Sequence, residues 1–185
     1  MNIFITGVAG FIGSRLAIEL LSEGFNIYGI DNLNDYYDVK LKKYRLNHLK
    51  GFKNFSFKKI DISNKIKLHD FLKNKNIDVI CHLAAQAGVR YSLKNPRAYT
   101  RSNIDGFLEI LEYCRVKPEI RLVYASSSSV YGGNKKTPFS VIDDVSHPVS
   151  LYAATKRANE LMAESYSNLF SLNIIGLRFF TVYGP

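Results

Sequence analysis

Tyr152 and Lys156 are the residues of this 185-residue sequence whose types and spacing point most directly to chemistry. On a helix, side chains four residues apart lie on one face, one turn from each other. A phenol has a pKa of about 10 and is a poor base at neutral pH, but a neighbouring ammonium favours its ionised form. The pair therefore predicts a general base that takes a proton from a hydroxyl group. The competing interpretation is a surface tyrosine beside a surface lysine.

A run of four serines, residues 126–129, follows a predicted strand upstream of this pair. Ser127 stands 25 residues before Tyr152, and its hydroxyl can donate or accept one hydrogen bond at the reacting oxygen. The competing interpretation is a flexible polar loop. Among the four histidines, His82 lies inside a predicted strand, where we expect a core histidine with a backbone partner.

Three glycines, Gly7, Gly10 and Gly13, follow an apolar run, and an apolar pattern with helical spacing starts at once at Phe11 and Ile12. This order predicts a strand, a turn that cradles phosphates, and a helix whose first N–H groups face an anion. The glycines allow a tight turn, a close backbone approach to a pyrophosphate and a helix packed close to the sheet. Glycine spacing alone is also compatible with an ordinary strand–helix turn.

Asp31 ends the second apolar run, about 20 residues beyond the turn, where an acidic residue binds the adenosine ribose of a dinucleotide. A carboxylate at this position repels a 2′-phosphate, so the sequence favours NAD over NADP. Lys40, Lys42 and Lys43 follow, and we interpret them as a solvated face.

Apolar runs with strand character alternate with segments of helical pattern along the chain. The predicted strands are 2–6, 25–30, 55–60, 77–83, 120–125 and 173–180, and the predicted helices are 11–21, 39–49, 63–72, 96–115 and 151–170. Ser63, Asn95 and Ser150 are the expected N-caps of the last three helices. The alternation predicts an α/β Rossmann fold of three layers, with a doubly wound parallel sheet in the strand order 3-2-1-4-5-6. The ligand is expected at the switch point beside the first strand.

Composition narrows the function further. The net charge is +9, with the excess concentrated between Lys40 and Lys75, but no nucleic-acid-binding motif accompanies it, so we predict no nucleic-acid partner. Cys81 and Cys114 lie in apolar stretches, which indicates buried free thiols in a cytoplasmic protein. The sequence opens directly on a strand, no apolar run reaches the ~18 residues of a membrane span, and no residues have metal-ligand spacing.

Several motifs together resemble the extended short-chain dehydrogenase/reductases, the NAD-dependent epimerases and dehydratases. They are the TGxxGxxG turn of residues 6–13, Asp31-Asn32, Asp61-Ile62, the HLAA stretch 82–85, Tyr152-x-x-x-Lys156 and Arg178-Phe179-Phe180. Residues 86–92, 124–134, 147–156 and 179–185 resemble the UDP-glucuronate 4-epimerase subgroup, which is often encoded with capsular polysaccharide genes. The likeness covers the whole chain.

The resemblance implies roles for the matching positions. It implies an NAD site formed by Gly7, Gly10, Phe11, Ile12, Gly13, Asp31, Asn32, Asp61, Ile62, Leu83, Ala84, Ala85, Gln86, Asn103, Tyr152, Lys156 and Phe179. It implies a substrate site formed by Arg90, Ser127, Ser128, Ser129 and Thr181. In this scheme Ser127 holds the sugar O4 and Tyr152 is the base, its phenolate favoured by Lys156 together with the positive nicotinamide of NAD⁺. The sugar is oxidised at C4 by NAD⁺, the 4-keto sugar rotates, and the hydride returns to its other face.

The resemblance also implies limits and partners. The dehydratases and related decarboxylases carry an acidic residue just before Val-Tyr-Gly, where this chain has Ser128-Ser129, which counts against both. We expect residues 1–185 to be the NAD-binding domain and the C-terminal substrate domain of the family to be absent. A homodimer is expected through the helices that start near Pro96 and Ser150, with surplus apolar surface from Ile104, Phe107, Leu108 and Leu111.

Three functions therefore remain open from the sequence. The first is a UDP-glucuronate 4-epimerase with a UDP-hexuronate substrate. The second is a UDP-glucose 4-epimerase or another NAD-dependent nucleotide-sugar epimerase. The third is a truncated, non-catalytic NAD-binding module, against which the intact Tyr152 and Lys156 argue.

Overall fold

The computed structural model of the protein describes residues 1–184; Pro185, the last residue of the motif that begins at Phe179, lies outside the described residues. Six strands form one sheet: β1 (Asn2–Thr6), β2 (Asn26–Asp31), β3 (Phe55–Lys59), β4 (Val79–His82), β5 (Arg121–Ser127) and β6 (Ile174–Phe179). The helices are α1 (Phe11–Ser22), α2 (Val39–Leu49), α3 (Lys65–Leu72), α4 (Tyr91–Lys94), α5 (Pro96–Tyr99), α6 (Gly106–Val116) and α7 (Leu151–Phe170). A π-helical segment, Thr100–Asp105, joins α5 to α6, and a 3₁₀ turn, Ser128–Tyr131, follows β5.

The strand order in the sheet is β3-β2-β1-β4-β5-β6, and every neighbouring pair is parallel. This confirms the predicted doubly wound sheet. Because side chains alternate across a strand, Phe4 of β1 packs into the core on one face and Ile3 and Ile5 into the core on the other. The crossover between β1 and β4 places the exits of β2 and β4 on either side of β1, and these exits frame the crevice at the switch point.

The long helix predicted for residues 96–115 is interrupted. Asn95 caps α5 as expected, since its side chain accepts a hydrogen bond from the Ala98 N–H at 3.3 Å, but the π-helical segment separates α5 from α6. Phe107 and Leu111 are fully buried, so the expectation that they supply surplus surface for a partner is wrong. Both face the central core, whereas Leu108 is exposed.

Two local expectations near α2 and α3 are also wrong. Lys42 is not part of a solvated face, because it is only 4% exposed on the side of α2 that also buries Leu46 and Leu49. The predicted cap Ser63 does not start α3; Asn64 does, by accepting a hydrogen bond from the Lys67 N–H at 3.1 Å. By contrast α7 has the predicted bounds and cap, since Ser150 Oγ accepts from the Ala153 N–H at 3.0 Å.

His82 lies in the core as predicted, but its partner is a side chain and not the backbone. Its Nδ1 lies 2.9 Å from the Thr6 hydroxyl, which already accepts hydrogen bonds from the N–H groups of Leu83 and Ala84. The Thr6 hydroxyl therefore donates its proton to His82. Burial, reinforced by the charge of Lys156, lowers the pKa of His82 to about 3, so the imidazole is neutral.

No helix within residues 1–184 has the length and apolarity to cross a lipid bilayer. In the same part of the chain no three His, Cys, Asp or Glu side chains come together as metal ligands. Both cysteines are free thiols, and burial raises the pKa of Cys81 to about 11 and that of Cys114 to about 12. Neither thiol therefore forms a reactive thiolate at neutral pH.

Candidate active site

The glycine turn lies at the carboxyl end of β1, at the start of α1. Gly7 has a φ of 71°, and a Cβ on it would lie 2.8 Å from the backbone nitrogen of Ala84. A Cβ on Gly13 would collide with the Gly7 carbonyl. Gly10 is the N-cap of α1 and has no side chain that could cap the helix. The N–H groups of the first turn, which face the crevice, therefore have no side-chain acceptor at the N-cap. This backbone cradle suits an anionic group.

Asp31 ties the turn to the end of β2. Its two carboxylate oxygens accept hydrogen bonds from the Ala9 N–H at 3.2 Å and from the Leu33 N–H at 2.8 Å. The side chain is 8% exposed and lines the same cleft as Gly7 and Gly10. Each oxygen keeps a free lone pair, so the carboxylate can accept further hydrogen bonds from hydroxyl groups in the cleft.

Asp61, two residues beyond β3, is held by a network of donors. It accepts hydrogen bonds from Ser63 Oγ at 2.7 Å and from Asn32 Nδ2 at 3.4 Å, and an Arg101 nitrogen lies 3.2 Å from the carboxylate. Burial raises the pKa of Asp61, but these hydrogen bonds and the Arg101 charge outweigh it, and the pKa lies below its ordinary value. Ile62 packs its side chain against Gly106 and also lines the cleft.

The segment after β4 forms the opposite wall of the cleft, with Leu83, Ala84, Ala85 and Gln86. Asn103 does not line this wall but holds it from behind. Its Oδ1 accepts from the Gln86 N–H at 2.8 Å, and its Nδ2 donates to the Gln86 carbonyl at 3.1 Å. Asn103 also joins this wall to α7, because its Nδ2 donates to Thr155 Oγ1 at 3.0 Å. The π-helical segment thus directs Asn103 inward as a positioning residue.

Ser127, Tyr152 and Lys156 come together at the carboxyl end of β5. Lys156 is 3% exposed, and its Nζ donates to the carbonyl of Ala125 at 2.9 Å. Ser127 lines the same cleft as Tyr152, and its Oγ accepts from the Ser129 N–H at 3.1 Å. All three predicted residues line one cleft that continues to Gly7, Gly10, Phe11, Ile12, Gly13 and Phe179.

Burial controls the electrostatics of this group. It raises the pKa of Tyr152, while the Ser127 hydroxyl beside the phenol acts in the opposite direction. Burial also lowers the pKa of Lys156 to about 8. Without a cofactor Lys156 does not hold Tyr152 ionised, because the Lys156 ammonium is desolvated and bonded to the Ala125 carbonyl. The phenol is neutral at neutral pH, and a base at this position needs a further positive charge in the cleft.

Below this group, Glu160 joins α7 to both neighbouring strands. Its carboxylate accepts from Ser126 Oγ of β5 at 2.6 Å and from Arg178 of β6 at 2.9 and 3.0 Å. Because Tyr152, Lys156 and Glu160 are spaced by four residues, one face of α7 carries the phenol, the ammonium and this anchor.

The predicted substrate residues other than Ser127 are scattered. Arg90 is exposed at the start of α4, and among residues 1–184 its side chain has no hydrogen bond or ion pair. Thr181 is exposed beyond β6. Ser128 and Ser129 lie in the 3₁₀ turn, and the buried Ser129 Oγ has no hydrogen-bond partner within residues 1–184. Of the five predicted substrate residues, Ser127 alone lines the cleft that contains Tyr152 and Lys156.

A family model for the NAD dependent epimerase/dehydratase family matches residues 3–185. The chain belongs to this family. Protein CapI of Staphylococcus aureus is 54% identical over 185 residues, which is 100% of this chain and 55% of that protein. UDP-glucuronate 4-epimerase 4 of Arabidopsis thaliana is 46% identical over 186 residues, which covers 100% of this chain and 42% of that protein.

Solved structures of the epimerase/dehydratase family agree with the fold. The crystal structure of UDP-glucuronic acid 4-epimerase from Bacillus cereus, in complex with UDP-glucuronic acid and NAD, has a TM-score of 0.89 and 35% sequence identity. It covers 100% of this chain and 58% of that chain. This chain thus spans about half the length of the relatives that it matches.

The cleft of this epimerase/dehydratase family member fits a dinucleotide. Side chains at Gly7 and Gly13 would fill the turn, the turn leads into the N-terminus of α1, and the Asp31 carboxylate lies beside it with free lone pairs. The two ends of the cleft are the Asp31 side and the Tyr152 side, and Gly7 and Gly10 line both. The pyrophosphate of a dinucleotide suits that central position.

Sequence reasoning missed three residues that shape this site. Lys42 lies four residues before Leu46, and Leu46 lies three residues before Leu49. This helical spacing is the signal that could have placed Lys42 on the buried face of α2. Glu160 lies four residues after Lys156, so helical spacing already puts it on the face of α7 that carries Tyr152 and Lys156. Tyr36, in the loop after β2, lines the cleft beside Asp31. Nothing local in the sequence indicates this, since the contact depends on the strand order.

Proposed function

We propose that this chain is the NAD-binding part of a nucleotide-sugar epimerase that interconverts UDP-glucuronate and UDP-galacturonate. The observation that carries the proposal is the grouping of Ser127, Tyr152 and Lys156 in the cleft that also contains the glycine turn. That arrangement brings a proton acceptor within the same space as a dinucleotide cradle. The named UDP-glucuronate 4-epimerase relatives support the choice of sugar.

Each residue of the group has a role in this proposal. The Tyr152 phenol takes the proton of the sugar hydroxyl at C4 and later returns it, and the Ser127 hydroxyl, which lines the same cleft, orients the sugar hydroxyl by a hydrogen bond. When bound, NAD⁺ supplies the hydride acceptor for C4 and a positive charge beside the phenol, and the hydride returns to the other face of the rotated 4-keto sugar. Lys156 fixes α7 against Ala125 so that the phenol stays in place.

The serines of the 3₁₀ turn favour a hexuronate over a neutral sugar. Ser129 Oγ is buried and has no hydrogen-bond partner within residues 1–184, so it is a donor available to a carboxylate. Ser128 precedes it in the same turn. An acidic side chain at either position would repel a carboxylate. Arg90 and Thr181 are the further contacts proposed for the substrate.

Asp31, with Asn32 and Asp61, is the proposed adenosine end of the NAD site, and the segment from Leu83 to Gln86 is its wall. Asp31 is the ribose acceptor because its two oxygens each have a lone pair to spare. The nucleotide of the substrate is held, in this proposal, by residues corresponding to the part of the relatives that this chain does not span.

A homodimer through the helices that begin near Pro96 and Ser150 belongs to the same proposal. The outward faces of α6 and α7 carry Leu108, 36% exposed, and Leu161, 51% exposed. Burying these leucines against a second copy would remove apolar surface from water. Sedimentation that finds only monomer at every concentration tested, for a chain extended by the portion of the relatives that it does not span, contradicts this part.

The deciding experiment joins residues 1–184 to the C-terminal portion of the Bacillus cereus enzyme that this chain does not cover. The chimera is incubated with UDP-glucuronate and NAD, and products are separated by chromatography. We expect UDP-galacturonate with no net NADH. Preferential turnover of UDP-glucose would show that the substrate is a neutral nucleotide sugar and not UDP-glucuronate. NAD binding without turnover of either sugar would favour a non-catalytic NAD-binding module.

A further inference from the structure

The loop between β2 and α2, residues 32–38, crosses the crevice at the switch point. In the sheet, β1 lies between β2 and β4, so a contact between the loops that follow β2 and β4 spans the space above β1. The Tyr36 ring packs on Tyr91 with centroids 4.9 Å apart. Its hydroxyl lies so close to Gly88 that a Cβ there would collide with it. We name residues 32–38 the strap.

The base of the strap is anchored on α2. Lys42 Nζ donates to both the carbonyl and the side-chain Oδ1 of Asn34, at 2.8 and 2.6 Å, and lies 4.4 Å from the Tyr37 ring centroid. The Tyr37 hydroxyl accepts from Arg45 Nη1 at 3.2 Å. An ammonium that is 4% exposed is costly to bury unless it is hydrogen-bonded, and the strap supplies those bonds. The loop is therefore an ordered element of the fold.

The strap also forms one side of the cleft that contains the glycine turn. Gly7, Gly10 and Asp31 line that cleft, and so do Tyr36 and Lys42. A ligand that uses both the turn and the Asp31 carboxylate therefore lies between them and the strap. Its exit toward solvent is restricted by the contact of Tyr36 with Gly88 and Tyr91.

We propose that the strap retains the dinucleotide, and that Tyr36 is the residue that sets its rate of release. This inference rests on the proposed function, in which the dinucleotide is reduced and then oxidised again within one turnover and has no need to leave. Opening the cleft requires the Tyr36 ring to separate from Tyr91, while Lys42 keeps the base of the strap in place. The contact between the Tyr36 and Tyr91 rings is thus the one that breaks when the cleft opens.

The test measures release of radiolabelled NAD from the loaded chain after addition of excess unlabelled NAD. Tyr36→Ala removes the ring and should speed release by about tenfold, the scale of one aromatic pair. Tyr91→Ala removes the other ring and should have a similar effect, and the double variant should release NAD no faster than either single one. Tyr44→Ala is the matched control, because Tyr44 is 73% exposed on α2 and outside the strap.

Circular dichroism melts of the NAD-free variants check that each one folds, and Tyr36→Phe, which keeps the ring, should stay close to the unaltered release rate. If the NAD release rates of both Tyr36→Ala and Tyr91→Ala lie within about twofold of the rate of the unaltered chain, the strap does not retain NAD. NAD binding and the proposed function would be unaffected by that result. If the unaltered chain retains no labelled NAD at all, the proposed function and the strap both fail.

Discussion

Lys156 donates a hydrogen bond from its ammonium to the carbonyl oxygen of Ala125 at 2.9 Å, so one side chain fastens α7 to the end of β5. The same ammonium is 3% exposed and lies near the neutral imidazole of His82. Burying the Lys156 ammonium therefore lowers the stability of the fold, and this effect can be measured apart from catalysis.

The effect of Lys156 on the free energy of unfolding should depend on pH. Burial lowers the pKa of Lys156 from 10.5 to about 8, so between these values the unfolded chain holds a proton that the folded chain has released, and the free energy of unfolding rises with pH. At 1.36 kcal/mol per pKa unit the shift corresponds to about 3 kcal/mol. Lys156→Met has no such proton. Between pH 8 and pH 10.5 we expect the free energy of unfolding of the unaltered chain to rise by about 3 kcal/mol relative to that of this variant, measured by urea unfolding.

Lys43→Met, at an exposed position of α2, is the control for this experiment and should show no comparable pH-dependent difference. A difference between the unaltered chain and Lys156→Met that stays constant from below pH 8 to above pH 10.5 contradicts the assigned burial of the ammonium.

Thr6→Val should destabilise the fold without changing the shape of the side chain. The Thr6 hydroxyl accepts from the N–H groups of Leu83 and Ala84 and donates to His82, and the variant leaves all three without that partner. We expect a loss of at least about 1–3 kcal/mol of unfolding free energy, the cost of one buried unsatisfied group. Thr100→Val, at an exposed site, should change stability by no more than about 0.5 kcal/mol. Equal stability of the two variants would disprove this role of Thr6.

Glu160→Gln should loosen α7 from β6. The substitution removes the charge that holds Arg178, and the Arg178 side chain is only 18% exposed. We expect a loss of about 1–3 kcal/mol in chemical unfolding. The comparison is Glu19→Gln, which breaks the ion pair with Arg15 on the exposed face of α1 and should cost less than about 1 kcal/mol. A smaller effect at Glu160 than at Glu19 argues against the anchor.

Asp31→Asn should weaken NAD binding and reduce the preference for NAD over NADP. The variant keeps one oxygen for the backbone N–H groups but loses the charge that repels a 2′-phosphate. We expect NAD affinity to fall by about 1–3 kcal/mol by titration calorimetry, with Asp70→Asn on exposed α3 as the control. Equal affinity of the unaltered chain for NAD and NADP would refute the ribose assignment.

The sheet and the Tyr152–Lys156 pair could be predicted from the sequence because both depend on short-range patterns. Apolar runs alternating with helical periodicity specify a parallel sheet, and the glycine turn specifies where it is doubly wound. Spacing by four residues likewise specifies the shared face of α7.

The features that could not be predicted from the sequence depend on contacts between distant segments. The helical pattern through Asn103 is continuous, whereas in the π-helical segment Asn103 is hydrogen-bonded to the distant residues Gln86, Thr155 and Asn159. Lys42 has a charge typical of a solvated face, and its burial depends on acceptors from Asn34, whose position the sequence does not reveal. The pKa of Tyr152 likewise follows from burial, which the Tyr–Lys spacing alone cannot indicate.

The central claim is that Tyr152 is the proton acceptor of a 4-epimerase, and Tyr152→Phe in the active chimera tests it most directly. The variant removes the hydroxyl and leaves the packing of the ring against Tyr99 in place. We expect turnover of UDP-glucuronate to fall by roughly 10²–10⁴-fold, the usual share of general acid–base catalysis, with NAD affinity unchanged and Tyr44→Phe fully active. Full activity of Tyr152→Phe would contradict the account.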